Sequence, residues 1–350
     1  MIVSVIIPTY ARAAKLAACV RALARQTFDP RRFEVLVSVD GPDAGEAAAV
    51  RDAAGGTIDA TVLAGPRQGP AAARNRAIAR ARGSLLLLLN DDVIPAPDLI
   101  ARHAETHESL AAEAVRTGRD GAIRPAMILG SAPWVVHRPD RLFDRLIRET
   151  SMVFFYDRMG GAEGASVAPN RDWGFRHAWT LNLSVPTAVV REVGGFSESL
   201  PSACYEDLEW AWRVRERFGS PVLYRPAARV EHDHRYEPAA YLERERTLGA
   251  DAFRLAAASP ACARAVFGRD VDSPDELAYS RAFVERERAA AERLELSFLA
   301  LADLPASAVD GPHAARLVTL IYEQHLLLKR WHWRRGLLEA AGSVNGRGQV

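Results

Sequence analysis

The chain has 350 residues, enough to close a hydrophobic core without a disulfide or metal staple. Its 45 Lys and Arg against 44 Asp and Glu leave a net charge of +1, so it lacks the global positive field of a nucleic-acid binder. Apolar residues at 49% and charged ones at 25% argue against long disordered stretches.

Val3 to Ile7 is a short β-branched run closed by Pro8, and Leu16 to Ala24 carries apolar residues at helical spacing. A second strand is predicted at Phe33 to Val39, ending in Asp40-Gly41-Pro42, and a helix follows from Gly45 to Ala54. Thr61 to Leu63 reads as a third strand, Pro70 to Arg82 as a helix closed by Gly83, and Leu85 to Leu89 as a fully buried fourth strand. The βαβαβαβ alternation predicts a parallel sheet with helices on both faces. A helix is expected from Asp98 to Ala114. Residues 116–178 lack clean periodicity and read as strands and mobile loops. Trp179 to Val185 then suggests a strand, Thr187 to Val193 and Asp207 to Phe218 helices, and Val222 to Tyr224 and Arg229 to His232 the last two strands.

Beyond Pro238 the strand signals stop. Ser273-Pro274-Asp275-Glu276 is a capping box that opens a helix, and Leu317, Leu320, Ile321, Leu328 and Trp331 recur at helical spacing in another. Residues 236–342 are therefore predicted to be helical, with 343–350 a frayed, disordered tail. Cys19, Cys204 and Cys262 are far apart and show no ligand spacing, which fits a reducing compartment. MIVSVIIP is too short and strand-like for a signal peptide, and the longest aliphatic run is far below the ~18 residues of a membrane span. A cytoplasmic location is expected.

In an open parallel sheet, ligands bind beyond the carboxyl ends of the strands. Pro8-Thr9-Tyr10, Asp40-Gly41 and Asn90-Asp91-Asp92 stand at such ends. Two adjacent carboxylates after five leucines repel each other, and a divalent cation relieves that repulsion; capping of a following helix is the structural alternative. There is no G-x-G-x-x-G, no G-x-x-x-x-G-K-[ST] and no G-x-S-x-G, so dinucleotide-binding, P-loop and α/β-hydrolase readings lack support.

Val5-Ile6-Ile7-Pro8-Thr9-Tyr10, Val37-Ser38-Val39-Asp40-Gly41, Ala73-Arg74-Asn75 and Leu89-Asn90-Asp91-Asp92 resemble, in order and spacing, the motifs of family 2 glycosyltransferases. Asn182-Leu183-Ser184-Val185, Gly194-Gly195-Phe196 and Tyr205-Glu206-Asp207-Leu208 extend the resemblance, which covers about residues 2–235. It implies a GT-A domain over 1–235, with a nucleotide-sugar-binding half at 1–115 and an acceptor-binding half at 116–235. The implied activity is inverting transfer of a sugar from a nucleotide-diphosphate donor to a hydroxyl of a glycan or lipid-linked acceptor, as in polysaccharide or cell-envelope glycan synthesis. Pro8, Thr9, Tyr10, Asp40, Arg74 and Asp91 are expected at the donor, Asp92 and His232 on Mg²⁺ or Mn²⁺, Asp207 as catalytic base with Glu206 in reserve, and Trp179 under the acceptor sugar. Asn90 departs from the family pattern, where a first Asp is common. A non-catalytic binding module and a sugar-phosphate nucleotidyltransferase are the competing readings.

Lys329-Arg330-Trp331-His332-Trp333-Arg334-Arg335 combines cations with indoles, a mixture suited to an anionic lipid surface. Trp331 also continues the apolar stripe from Leu317, so packing against the catalytic domain or a second subunit competes with peripheral membrane contact.

Overall fold

The four apolar runs of the N-terminal half become β1 (Val3–Thr9), β2 (Phe33–Asp40), β3 (Asp59–Gly65) and β4 (Leu85–Leu89), linked by helices α1 (Ala13–Leu23), α2 (Glu46–Ala54) and α3 (Pro70–Ile78). The computed structural model describes residues 1–117, 124–160, 168 and 170–347, with 344–347 described by backbone alone. β1 pairs in parallel with both β2 and β4, and β2 with β3, as the alternation predicts. All five leucines of β4 are buried, which is why that strand shows no polar alternation.

The rest of the sheet is mixed. β5 (Val93–Pro95), β6 (Met127–Ser131), β7 (Asn182–Pro186) and β8 (Val222–His232) complete the order β3-β2-β1-β4-β7-β6-β8-β5. β7 runs antiparallel to β4 and β6, and β5 antiparallel to β8. The two strands expected within 222–232 are one. Its middle bulges, because Gly130 pairs with Arg225 while the next residue, Ser131, pairs with Arg229. Pro226 lies in that bulge, where a missing N–H costs no ladder bond, and the Ser131 hydroxyl donates to its carbonyl. The helix expected to reach Arg82 stops at Ile78, since buried Glu34 accepts from the Arg82 backbone N–H (2.7 Å) and guanidinium (2.9 Å) and draws the chain away. Helices α4 (Leu99–Arg116), α6 (Thr187–Val193) and α7 (Glu206–Phe218) lie close to their expected limits.

By internal contacts the chain divides into Met1–Val135 with Met159–His234, and Val136–Arg158 with Arg235–Val350. The second unit is helical: α5 (Leu142–Glu149), α8 (Pro238–Ala258), α9 (Pro260–Phe267), α10 (Pro274–Ala302) and α11 (Ala314–Arg347). α5 falls within the stretch read as strands and loops. Its Phe143 packs edge-on against Tyr241 of α8 and Phe298 of α10, which explains why 136–158 groups with the C-terminal helices. Helices α8 and α11 approach closely at Gly249 and Gly336, where an added Cβ would sit under 2 Å from the Trp333 and Arg246 carbonyl oxygens. The Ser273 hydroxyl accepts from the Glu276 N–H, as the capping box requires. α11 continues through residue 347, and residues 348–350 of the expected tail lie outside the described residues.

The basic and aromatic segment of α11 is engaged within its own unit. Trp331 Nε1 donates to the Val284 carbonyl, Arg334 pairs with Glu276 at 2.8 Å, His332 meets Glu295 at 3.1 Å, and Arg335 stacks on Trp331. These partners belong to α10 and to α11 itself, so they bear neither on packing against the catalytic domain or a second subunit nor on membrane contact. Among the described residues no helix is long and apolar enough to cross a membrane.

Candidate active site

The strand order reverses direction at β1: β2 and β3 lie on one side and β4 on the other. Such a switch point opens a crevice between the carboxyl ends of β1 and β4. Thr9 ends β1 and Asn90-Asp91-Asp92 follows β4, and the Thr9 hydroxyl donates to Asp91 Oδ2 at 2.7 Å. The chain then turns into β5, whose Val93 pairs with His232 at the end of β8. This register, together with the bond from Asp233 N–H to the Asp92 carbonyl (2.8 Å), brings a strand end from 140 residues away beside Asp92.

Both aspartates are buried. Asp92 Oδ2 lies 2.9 Å from His234 Nδ1, and Asp92 Oδ1 lies 3.5 Å from His232 Nε2. Ligand atoms of Asp92, His232 and His234 all fall within 4.8 Å of one another, a cluster able to hold a metal ion. Asp92 Oδ1 is buried with no hydrogen-bond partner among the described residues, as expected of an atom kept for another ligand. Trp134 stacks on the His232 ring at 4.2 Å and fixes its plane. Burial pushes the Asp92 carboxyl up, but the two imidazoles outweigh it and hold the group well below the usual carboxylate range. Asp91 is raised, by burial and by the charge of Asp92. His234 was not among the expected ligands, although its period-two spacing from His232 was the available signal. Arg12 was missed as well: its Nη1 reaches Asp91 at 3.2 Å and Asp92 at 2.9 Å.

At the end of β1, Pro8 is partly buried and Tyr10 is 45% exposed. The Arg67 guanidinium sits 4.2 Å over the Tyr10 ring. Asp40, at the end of β2, accepts from Gln68 N–H (2.7 Å) and Gly69 N–H (3.0 Å) and so ties this loop to the sheet. Gly69 has φ +95° and a Cβ there would overlap the Pro201 carbonyl, so this turn requires glycine.

The second acid pair opens α7. Glu206 Oε1 meets Arg74 Nη1 at 2.8 Å, with both side chains buried. Arg74, expected on the nucleotide, is 4% exposed and committed to this pair; its other terminal nitrogen lies 3.5 Å from Asn90 Oδ1. Asn75 pins the turn of the Gly194-Gly195-Phe196 motif, giving and taking backbone hydrogen bonds with Phe196 at 2.9 and 2.8 Å. Asp207 accepts from the Leu208 N–H at 2.8 Å. Burial and the adjacent Glu206 charge push its carboxyl up to about 7, suited to accepting a proton near neutrality. Trp179 precedes β7 rather than starting it, is 7% exposed, and packs against His177. The structure thus brings Thr9, Asp91, Asp92 and His232 together, joins Arg74 to Glu206, and leaves Trp179 in packed surroundings.

Comparison with known proteins bears on the family and the fold. Residues 4–147 match the model of glycosyl transferase family 2. A validoxylamine A glucosyltransferase of Streptomyces hygroscopicus is 28% identical over 260 residues, covering 67% of this chain and 52% of that protein. Glycosyltransferase AglE of Haloferax volcanii is 31% identical over 215 residues, 61% of each chain. The chain spans about half the length of the curated relatives it matches. A mannosyltransferase from Pyrobaculum calidifontis, solved in complex with GDP-Man and Mn²⁺, shares the fold with a TM-score of 0.53 and 18% identity, over 99% of this chain and 88% of that one.

Proposed function

We propose that this chain is a family 2 glycosyltransferase of GT-A fold that transfers a sugar from a nucleotide-diphosphate donor to an acceptor hydroxyl with inversion. One observation carries the reading: at the switch point of the sheet, a buried aspartate, one of whose oxygens accepts no hydrogen bond among the described residues, faces two histidines, in a unit that also holds a carboxylate of raised proton affinity. Asp92, His232 and His234 would hold a divalent cation, which would offset the charge gathering on the departing diphosphate. Two imidazole nitrogens make Mn²⁺ a better match than Mg²⁺, which keeps to oxygen ligands.

Tyr10 offers an exposed ring to the nucleobase, Asp40 holds the loop that borders it, and Asp91, steadied by Thr9, serves the ribose or sugar side. Asp207 takes the proton of the acceptor hydroxyl as that oxygen attacks opposite the leaving phosphate. Glu206 stays with Arg74 and keeps Asp207 basic. A single base without a second nucleophile gives net inversion. The mannosyltransferase solved with GDP-Man and Mn²⁺ supports a nucleotide-sugar donor, UDP- and GDP-linked sugars being the first to try, and we propose a glycan or lipid-linked hydroxyl as the acceptor.

The test is thermal stabilisation by a panel of nucleotide sugars with and without Mn²⁺, followed by nucleotide release and NMR of the product's anomeric proton. Metal-dependent stabilisation and inverted configuration are expected. A retained configuration contradicts the mechanism, and no stabilisation by any nucleotide sugar contradicts the donor site.

A further inference from the structure

We propose that Arg12 is a displaceable latch on the donor site. In the free chain its guanidinium occupies the Asp91–Asp92 pair; when a divalent cation takes that place, Arg12 passes to the donor's diphosphate. The inference rests on the donor-site reading above and adds to it a residue that competes with the metal and then serves the nucleotide.

The geometry supplies the competition. Arg12 Nη1 is 3.2 Å from Asp91 Oδ1 and 2.9 Å from Asp92 Oδ2. The same Asp92 Oδ2 lies 2.9 Å from His234 Nδ1. A cation drawing on Asp92, His232 and His234 therefore meets a like charge on the carboxylate it needs. Two cations sharing one carboxylate repel, which weakens the hold on each.

Arg12 is built to be the one that yields. Its side chain is 44% exposed, whereas those of the aspartates are 6% and 5% exposed, so it leaves without a large desolvation change. Ala11 has φ +51°, the single non-glycine value in the left-handed region among the described residues. A residue other than glycine held there marks a turn fixed by its surroundings. This turn leaves the preceding Tyr10 ring exposed and returns Arg12 over the acids.

The destination is also at hand. Arg12 is the N-cap residue of α1 and makes no side-chain capping bond there. A helix N-terminus favours an anion through its free N–H groups and dipole, and a forked guanidinium beside it matches a phosphate's oxygens. Once a dication has neutralised the aspartates, Arg12 has lost its counter-charge and a diphosphate supplies a new one.

Calorimetry on the full chain separates the two roles, using MnCl₂ alone and then UDP and GDP in saturating Mn²⁺. Arg12→Gln should bind Mn²⁺ alone about two- to fivefold more tightly, the worth of an exposed ion pair removed. The same variant should bind whichever nucleotide the wild type accepts about tenfold more weakly, from the lost charged hydrogen bonds. Arg12→Lys, which keeps the charge without the fork, should fall between the two. Unchanged or weaker Mn²⁺ binding in Arg12→Gln would overturn the latch, as would nucleotide binding that tightens along with the metal. A wild-type chain that binds no Mn²⁺ would instead sink the metal site itself, a result distinct from one in which the wild type binds and the variant does not differ.

Discussion

Two acid pairs in one domain have opposite electrostatic fates. Asp91-Asp92 follows a buried strand and is met by Arg12, His232 and His234, so Asp92 stays ionised far into acid. Glu206-Asp207 opens a helix where the Arg74 guanidinium is taken by Glu206, and Asp207 is left with a raised proton affinity. Residue type is nearly the same in both. Which partners the fold delivers, and which carboxylate receives them, give the two acids opposite proton affinities.

The sharpest way to break this comparison is Asp207→Asn. It should slow transfer about 10²–10⁴-fold while leaving nucleotide binding intact, the usual worth of a positioned base. Steady-state kinetics with parallel calorimetry checks it; a full-rate Asp207→Asn beside an inactive Glu206→Gln would exchange their roles. Glu206→Ala strands the Arg74 guanidinium in the interior and should cost about 3–5 kcal/mol in denaturant unfolding.

Asp92→Asn removes the proposed metal ligand from the other pair. Mn²⁺ affinity should fall by at least about tenfold, and added metal should no longer strengthen nucleotide binding. Calorimetry showing wild-type metal enhancement in this variant would contradict the assignment.

The smallest effect is the most diagnostic of the contrast. Because the base acts as a carboxylate, kcat should rise with pH through an acid limb near 7 and level off above it, rather than near the ordinary ~4 of a carboxyl. Glu206→Gln removes the neighbouring like charge and frees Arg74 to act on Asp207, so the limb should move to lower pH. A pH–rate profile with an unmoved limb would mean that burial alone sets the proton affinity.

The parallel half of the sheet was legible because each strand is a local apolar run between turn residues. β1 to β4 and the three helices between them announce themselves within a few residues. The family motifs lie at the ends of those strands, so Thr9, Asp40, Asp91 and Asp92 could be named directly. The second half hid its order for local reasons: Pro226 breaks the apolar run of β8 into two apparent strands, and α5 sits among Arg, Gly and Pro residues with little surrounding rhythm.

What the amino-acid sequence determined by itself is the alternation of strands and helices, the capping of α10 at Ser273, and the acids at strand and helix ends, all set by neighbours in the chain. Only the tertiary structure decided which charges those acids meet. Arg74 and Glu206 are 132 positions apart, and Asp92 and His234 are 142. Their pairings follow from the β5–β8 register and from the order of strands around β1, which depend on packing across the whole sheet. No local pattern encodes such contacts, since burial and electrostatics act between residues that only the fold makes neighbours.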